Sequence, residues 1–207
     1  MIPTKNQRLF QILIAFVAWL MLILQLYLQI ANRTTSVTEA IIRFFSYFTI
    51  LTNLLVAISF TSLMFRKSRW HSFFYKSNVL TAVTVYILIV GLVYNLVLRS
   101  QWNPQGLQLI VDNGLHTITP LLALIYWFFY VSVKNTRWQQ IPRWLLYPIL
   151  YLVFVIIRGV FSNFYPYFFI DISKLGYATA LQNAGFVTAA FLIVSVVLLW
   201  IGKLKRI

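Results

Sequence analysis

The sequence has 207 residues, of which 61% are hydrophobic and 10% are charged, and its 17 Lys and Arg residues face only three acids. Soluble domains contain about 45–50% apolar and about 25% charged residues, so the composition excludes an ordinary soluble fold. The bases lie between apolar runs and not on a solvated face, which excludes nucleic acid as the expected partner.

Six apolar segments follow one another along the chain, at residues 10–30, 40–65, 79–98, 107–133, 144–161 and 182–201. Each is long enough to cross a hydrocarbon core of about 30 Å at a rise of about 1.5 Å per residue. No repeat and no long linker separates them. We therefore expect residues 1–207 to form a single integral-membrane domain, an all-α, polytopic six-transmembrane-helix bundle.

The charges between these segments alternate along the chain. Twelve bases without any acid fall on the termini and on every second loop: Lys5, Arg8, Arg66, Lys67, Arg69, Lys76, Lys134, Arg137, Arg143, Lys203, Lys205 and Arg206. All three acids, Glu39, Asp112 and Asp171, fall on the opposite side. Because bases are retained on the cytoplasmic side of a membrane, both termini are predicted to be cytoplasmic.

Polar residues within the predicted spans concentrate in the half of the bundle that faces outward. They are Thr49, Asn53, Asn95, Asp112, His116 and Arg158. Polar groups inside a span are costly and usually face the bundle interior or a cavity. The sequence therefore predicts a polar cavity that opens toward the outer leaflet or the outer water.

Thr49 and His116 have the chemistry of a nucleophile and its base. A Thr hydroxyl is inert unless a base takes its proton, and His116 is the only histidine in a predicted span. Both lie about nine residues, or about 14 Å, from the start of their predicted helices, so they can meet if the second and fourth helices touch. Asp112, one turn before His116, is a candidate to orient its ring.

The same polar cluster is compatible with other functions. Membrane-embedded hydroxyls often bond to their own helix, and buried polar side chains hold helices together. A transporter or lipid-binding protein could use Arg158, Asp112 and His116 as a substrate or proton site, and a structural subunit could use them for packing alone. One His and one Asp do not make a zinc site, so no metal and no cofactor are expected.

Two short motifs resemble a known family. Tyr47-Phe48-Thr49, and Asn113-Gly114-Leu115-His116-Thr117 followed by Pro120, are similar to stretches of the androgen-induced membrane hydrolases, which cleave fatty acid esters of hydroxy fatty acids. The resemblance implies catalytic roles for Thr49 and His116. A Tyr-Pro element before the last helix of that family is similar to Tyr165-Pro166-Tyr167-Phe168. By itself, this aromatic stretch is compatible with either a lid or an interfacial aromatic belt.

Over nearly its full length the chain resembles a prokaryotic six-helix membrane family related to those hydrolases. This resemblance implies a prokaryotic plasma membrane and a lipid or fatty-acyl ester as substrate. Residues expected to contact the substrate or its oxyanion are Asn53, Asn95, Arg158 and Tyr165. The chain departs from the hydrolases at three places: Pro120 is one residue closer to the His, Thr52 is an alternative nucleophile to Thr49, and Arg158 stands where eukaryotic members have histidines. An Arg there suits a carboxylate or phosphate group.

Overall fold

The computed structural model of the chain describes residues 3–205. All regular secondary structure in that range is helical. Arg206, one of the bases predicted to be cytoplasmic, lies outside the described residues, as do the first two and the last residue of the predicted domain. The α-helices are α1 (Lys5–Ala31), α2 (Val37–Phe44), α3 (Phe48–Met64), α4 (Arg69–Phe74), α5 (Ser77–Val93), α6 (Gly106–Asn113), α7 (Thr119–Tyr130), α8 (Ile141–Trp144), α9 (Leu146–Ser162) and α10 (Ile172–Leu204).

Within residues 3–205, five helical stretches are long and apolar enough to cross a membrane, and a bent pair makes a sixth if it counts as one span. The five are Lys5–Ala31, Ser77–Gln101, Gly106–Tyr130, Trp138–Ser162 and Ile172–Leu204. The molecule is therefore an all-helical protein suited to a membrane. The predicted continuous second helix over residues 40–65 is wrong, because α2 and α3 meet at an angle of 70°.

Capping explains why the chain bends between α2 and α3. Ser36 caps α2, with its hydroxyl accepting a hydrogen bond from the Glu39 N–H at 3.2 Å. The first N–H groups of α3 have no side-chain cap of their own. The Tyr151 hydroxyl accepts from Phe48 N–H at 3.2 Å and donates to the Ser46 carbonyl at 2.8 Å. A tyrosine from α9 thus spans the bend and satisfies backbone groups on both sides of it.

The helices differ greatly in how far they are enclosed. α5 lies at the centre and buries residues on all its faces, including Val85, Ile87 and Val90. In contrast, α9 buries only Val155 and Gly159 and exposes large apolar side chains such as Phe161, which is 86% exposed. A surface of that kind is stable against lipid tails and not against water. α9 is therefore the helix most open to the surroundings of the bundle.

Two π-helical turns interrupt the central helices at the same level. α5 continues into a π-helix at Tyr94–Leu98, and a second π-helix at Gly114–Ile118 joins α6 to α7. The two turns are in contact: the Asn95 amide donates to the His116 carbonyl at 3.3 Å and to the Gly91 carbonyl at 2.9 Å. Single π-helical turns inside α-helices occur frequently at functional sites.

The two ends of the bundle differ in charge. At one end, which we term the basic end, Lys205 donates to three carbonyls at the end of α7, and Lys76, Lys134 and Arg137 lie in the neighbouring loops. The opposite end, which we term the cavity end, contains the loops at residues 32–36, 99–105 and 163–171. All three acids belong to the cavity half together with five bases, Arg33, Arg43, Arg99, Arg158 and Lys174, so the acids lie at one end of the bundle as the alternating pattern predicts.

Candidate active site

The side chains of Thr49 and His116 meet at the cavity end of the bundle. The Thr49 Oγ1 atom lies 3.3 Å from His116 Nε2, and both residues are buried, with 8% of each exposed. Thr49 is the second residue of α3 because the chain bends just before it, and His116 lies in the middle of the second π-helical turn. The site is therefore assembled by two irregularities of the backbone.

The hydrogen bond at Nδ1, on the side of the imidazole away from Thr49, determines the tautomer of the ring. His116 Nδ1 lies 2.9 Å from the carbonyl oxygen of Asp112, which can only accept a hydrogen bond. Nδ1 must therefore carry the proton, and Nε2 of the neutral ring is left as an acceptor directed at the Thr49 hydroxyl. The Tyr94 ring stacks on the imidazole with 3.8 Å between centroids and 12° between planes, which fixes the ring's orientation.

The carboxylate of Asp112 has a different role from the one that its spacing suggests. Its Oδ1 atom is 4.0 Å from His116 Nδ1, outside hydrogen-bond distance, so the backbone carbonyl and not the carboxylate holds the ring. The carboxylate accepts from Trp102 Nε1 at 2.7 Å, Tyr94 Oη at 3.0 Å and Gln108 Nε2 at 3.3 Å. Through these bonds Asp112, which belongs to α6, holds Trp102 in the loop at residues 99–105.

Tyr167 provides a hydroxyl beside Thr49. The Thr49 N–H donates to Tyr167 Oη at 3.2 Å, and the same oxygen lies 3.4 Å from Thr49 Oγ1. Burial raises the pKa of Tyr167 to about 12, so its hydroxyl keeps its proton at neutral pH and remains a donor. The N-terminus of α3 points at the same place, and a helix N-terminus favours negative charge.

The structure separates the two candidate nucleophiles. Thr52 is fully buried, and its hydroxyl pairs with Tyr147 Oη at 3.1 Å, on the side of α3 that faces α9. The Thr49 hydroxyl is the one that lies beside His116. Asn53 joins the two halves of the site, because its amide N–H groups donate to the carbonyls of Thr49 at 2.9 Å and Leu115 at 3.3 Å.

Three residues predicted to contact substrate have other contacts and do not face the Thr49–His116 site. Asn95 holds the π-helical turns together, as described above. Arg158 donates to Glu39 Oε1 at 3.1 Å and lies over the Phe164 ring at 4.7 Å from its centroid. Tyr165 packs so closely on α9 that a methyl group at Gly159 would overlap its ring. In residues 3–205 none of the three lines either cavity at the site.

Two cavities meet at Thr49. The larger, of about 670 Å³, opens at the cavity end and includes Tyr94, Trp102 and His116 in its walls. The smaller, of about 90 Å³, is almost wholly apolar and lies between α5, α9 and α10. Thr49, Tyr167 and Leu98 belong to the walls of both. A molecule with a polar and an apolar part could therefore place the junction of the two parts at the Thr49 hydroxyl.

The residue types present limit what else the site can do. Over residues 3–205 no group of three or more His, Cys, Asp or Glu side chains is placed to hold a metal ion. The groups that can react are a hydroxyl, a neutral imidazole and a phenol. These groups suit acyl transfer, in which a base-activated hydroxyl attacks a carbonyl carbon.

Comparisons with protein-family models, with curated proteins and with solved structures each found no match for this chain. The site is therefore interpreted from its own geometry. Sequence reasoning missed Tyr94, Trp102 and Tyr167, which complete that geometry. Tyr165 was chosen in place of Tyr167, two residues later, whose hydroxyl is the one that reaches Thr49.

Proposed function

We propose that this protein is a membrane-embedded hydrolase of a lipid ester, in which Thr49 is the nucleophile and His116 the general base. One observation carries the proposal: the Thr49 hydroxyl lies 3.3 Å from His116 Nε2 while the Asp112 carbonyl holds Nδ1 at 2.9 Å. This arrangement makes a neutral imidazole an acceptor for the Thr proton. A nucleophile, its base and a group that orients the base form the pattern common to hydroxyl-dependent acyl transfer.

The reaction proceeds in two steps. Thr49 Oγ1 attacks the ester carbonyl carbon as its proton passes to His116 Nε2. The tetrahedral intermediate breaks its bond to the alcohol oxygen, and the alcohol takes that proton and leaves. Water then attacks the acyl-Thr49 ester and gives a proton to His116. The fatty acid departs as that proton returns to Thr49 Oγ1, which restores the enzyme.

Tyr167 and the start of α3 stabilise the charge that develops on the carbonyl oxygen. The tyrosine hydroxyl accepts from the Thr49 N–H and lies 3.4 Å from Thr49 Oγ1, so its own proton is available to an oxyanion that forms beside that atom. Donors already directed at the site of developing charge need no reorganisation during the reaction. The helix dipole of α3 adds to the same effect because Thr49 is its second residue.

The proposal includes a membrane arrangement and a family. The bent pair α2–α3 counts as one span, which gives six spans with both termini in the cytoplasm of a prokaryotic cell. The large cavity then opens at the outer surface of the plasma membrane. We also propose that the chain belongs with the prokaryotic six-helix relatives of the androgen-induced hydrolases, a proposal supported by Thr49 and His116 lying side by side.

A second candidate function is transport of a small amphiphile. The observation that favours it is the break between α2 and α3, because transporters often direct the N-terminus of a broken helix at their substrate. A carrier requires no covalent intermediate on Thr49. The test of the proposed function therefore also separates the two candidates.

Labelling with a fluorophosphonate probe tests the nucleophile and its base. The purified wild-type protein is expected to react at Thr49, and Thr49→Ala is expected to abolish the reaction. His116→Ala should slow labelling about 100- to 10,000-fold, the usual contribution of a general base. Thr52→Ala is the matched control, because it removes an adjacent hydroxyl that bonds to Tyr147 and not to His116.

Two results would contradict the proposal. Labelling that persists in Thr49→Ala, with the adduct found at another residue by mass spectrometry, would assign a different nucleophile. A folded wild-type protein that does not react would favour the carrier. Circular dichroism in detergent confirms that each variant has retained its helices before its labelling is compared.

A further inference from the structure

The large cavity is built from neutral polar side chains. The chain carries 17 Lys and Arg residues, yet among residues 3–205 none of them lines this cavity. Seven Asn and Gln side chains do line it, including Gln25, Gln29 and Gln108, and Asp112 is its one charged residue. Sites for phosphate or carboxylate groups use Arg or Lys, so the wall of this cavity does not suit an anion.

Four of these amide side chains bond to one another in two pairs, and they can also bond to a ligand in the cavity. Gln108 Nε2 donates to Gln25 Oε1 at 3.0 Å, and Gln105 Nε2 donates to Asn103 Oδ1 at 3.1 Å. Gln108 Nε2 also donates to Asp112, so the first pair retains the Gln108 oxygen and the Gln25 nitrogen for a ligand. The second pair retains the Gln105 oxygen and the Asn103 nitrogen. Hydroxyl groups, which also donate and accept, match such a wall without any net charge.

The carboxylate of Asp112 does not make the cavity a cation site. Its two oxygens already accept from Trp102, Tyr94 and Gln108. The Tyr94 face that a cation could approach is covered on one side by the His116 ring at 3.8 Å. A choline-like group would therefore meet a carboxylate whose oxygens are already bonded to three neutral donors, beside a Tyr94 ring with one face covered.

The apolar cavity suits the other part of an amphiphile. Its walls include Ile89, Val93, Leu152, Val187 and Phe191, and it reaches the weakly packed helix α9. Because this cavity and the amide-lined cavity share Thr49 and Tyr167, an ester carbonyl at Thr49 would direct its chain into one and its alcohol into the other.

We propose that the substrate is a fatty-acyl ester of a neutral polyhydroxy alcohol, such as a monoacylglycerol or an acylated sugar. The polyol occupies the amide-lined cavity and the acyl chain enters the apolar one. This inference rests on the proposed hydrolase function. In this inference the amide-lined cavity, and not Arg158, selects the polar group of the substrate, because Arg158 is paired with Glu39.

Hydrolysis of four decanoyl esters tests the inference, since the four share one acyl chain. They are monodecanoylglycerol, methyl decanoate, decanoylcholine and monodecanoylglycerol phosphate. We expect kcat/KM for monodecanoylglycerol to exceed that of each other ester about tenfold, the effect of one or two hydrogen bonds. Gln29→Lys should reverse the order of the glycerol and glycerol phosphate esters. Gln139→Lys, at the basic end, is the matched control and should preserve it.

The outcomes distinguish this inference from the hydrolase proposal. Faster hydrolysis of the methyl, choline or phosphate ester would overturn the polyol inference and leave the hydrolase intact. If no ester is hydrolysed, the hydrolase fails, and thermal unfolding with added monodecanoylglycerol decides the rest. If monodecanoylglycerol raises the unfolding temperature of the wild type but not of Gln29→Lys, the polyol site is supported. If it does not raise the unfolding temperature of the wild type, the polyol site is overturned.

Discussion

At the scale of single residues, the chemistry depends on which hydrogen-bonding groups remain free after the fold has used the others. Asn53 has both its N–H groups occupied by backbone carbonyls, so it cannot donate to an oxyanion. Tyr167 receives a hydrogen bond and still has a proton to give. Both residues bond to the backbone of Thr49, yet only the tyrosine has a donor left for charge that develops beside it.

Tyr167→Phe tests this difference. Removing one donor from an oxyanion site typically costs about 100- to 1,000-fold in rate, so labelling of Thr49 should slow by that factor. Tyr177→Phe, which removes a hydroxyl from an exposed position on α10, should label at the wild-type rate. Wild-type reactivity in Tyr167→Phe would show that the oxyanion is stabilised elsewhere.

At the scale of elements, the closeness of α5 to the second π-helical turn positions His116. A methyl group on Gly91 would lie 2.9 Å from the His116 carbonyl oxygen and 3.3 Å from the Pro120 ring. These neighbours are a backbone atom and a rigid ring, which cannot move aside as a flexible side chain can. The turn and α5 must therefore separate if the methyl group is introduced.

Gly91→Ala is expected to lower the free energy of unfolding by about 1–3 kcal/mol and to slow Thr49 labelling more than this loss explains. Gly185→Ala is the control, because a methyl group there meets no atom within 4 Å. Thermal unfolding in detergent and labelling of the folded fraction measure the two effects. Equal behaviour of the two variants would mean that the contact at Gly91 does not position His116.

The elements also show which features the sequence can predict. The long helices were predicted from the length of the apolar runs, because a run of about 20 apolar residues is rarely found outside a membrane-spanning helix. The break after Phe44 was missed because no Gly or Pro marks residues 45–47, and the tyrosine that stabilises it comes from α9, more than a hundred residues away. The π-helical turns were missed for the same reason: they depend on contacts between helices and leave no periodic signal.

The candidate site was predictable in part. His116 stands out because ionisable residues are rare in apolar spans, whereas Thr49 was chosen among several threonines by its depth in the predicted helix and by the Tyr47-Phe48-Thr49 motif. Trp102 and Tyr167 do not stand out, because 18% of the chain is aromatic and nothing in their spacing distinguishes them. Asp112 was found, but the sequence pointed to its carboxylate as the acceptor for His116 Nδ1–H where the structure has its backbone carbonyl, since residue spacing alone does not separate the two groups.

At the scale of the whole molecule, the separation of charge between its two ends predicts its orientation. The chain has no Cys, so single Cys variants can be labelled without background. A membrane-impermeant maleimide should label Thr34→Cys, at the cavity end, in intact cells. Lys67→Cys, at the basic end, should be labelled only after the membrane is opened. The reverse pattern would place the cavity on the cytoplasmic side.

The meeting of two unlike cavities at one hydroxyl has a consequence for how products would leave. In the proposed reaction, the released alcohol would lie in the cavity that opens at the end of the bundle, beside water. The fatty acid would lie beside α9, whose large apolar side chains are exposed. Each product would depart into the phase in which it dissolves. Dilution in two separate phases removes both partners of the reverse reaction, so hydrolysis would run forward even where the free energy of the ester bond is small.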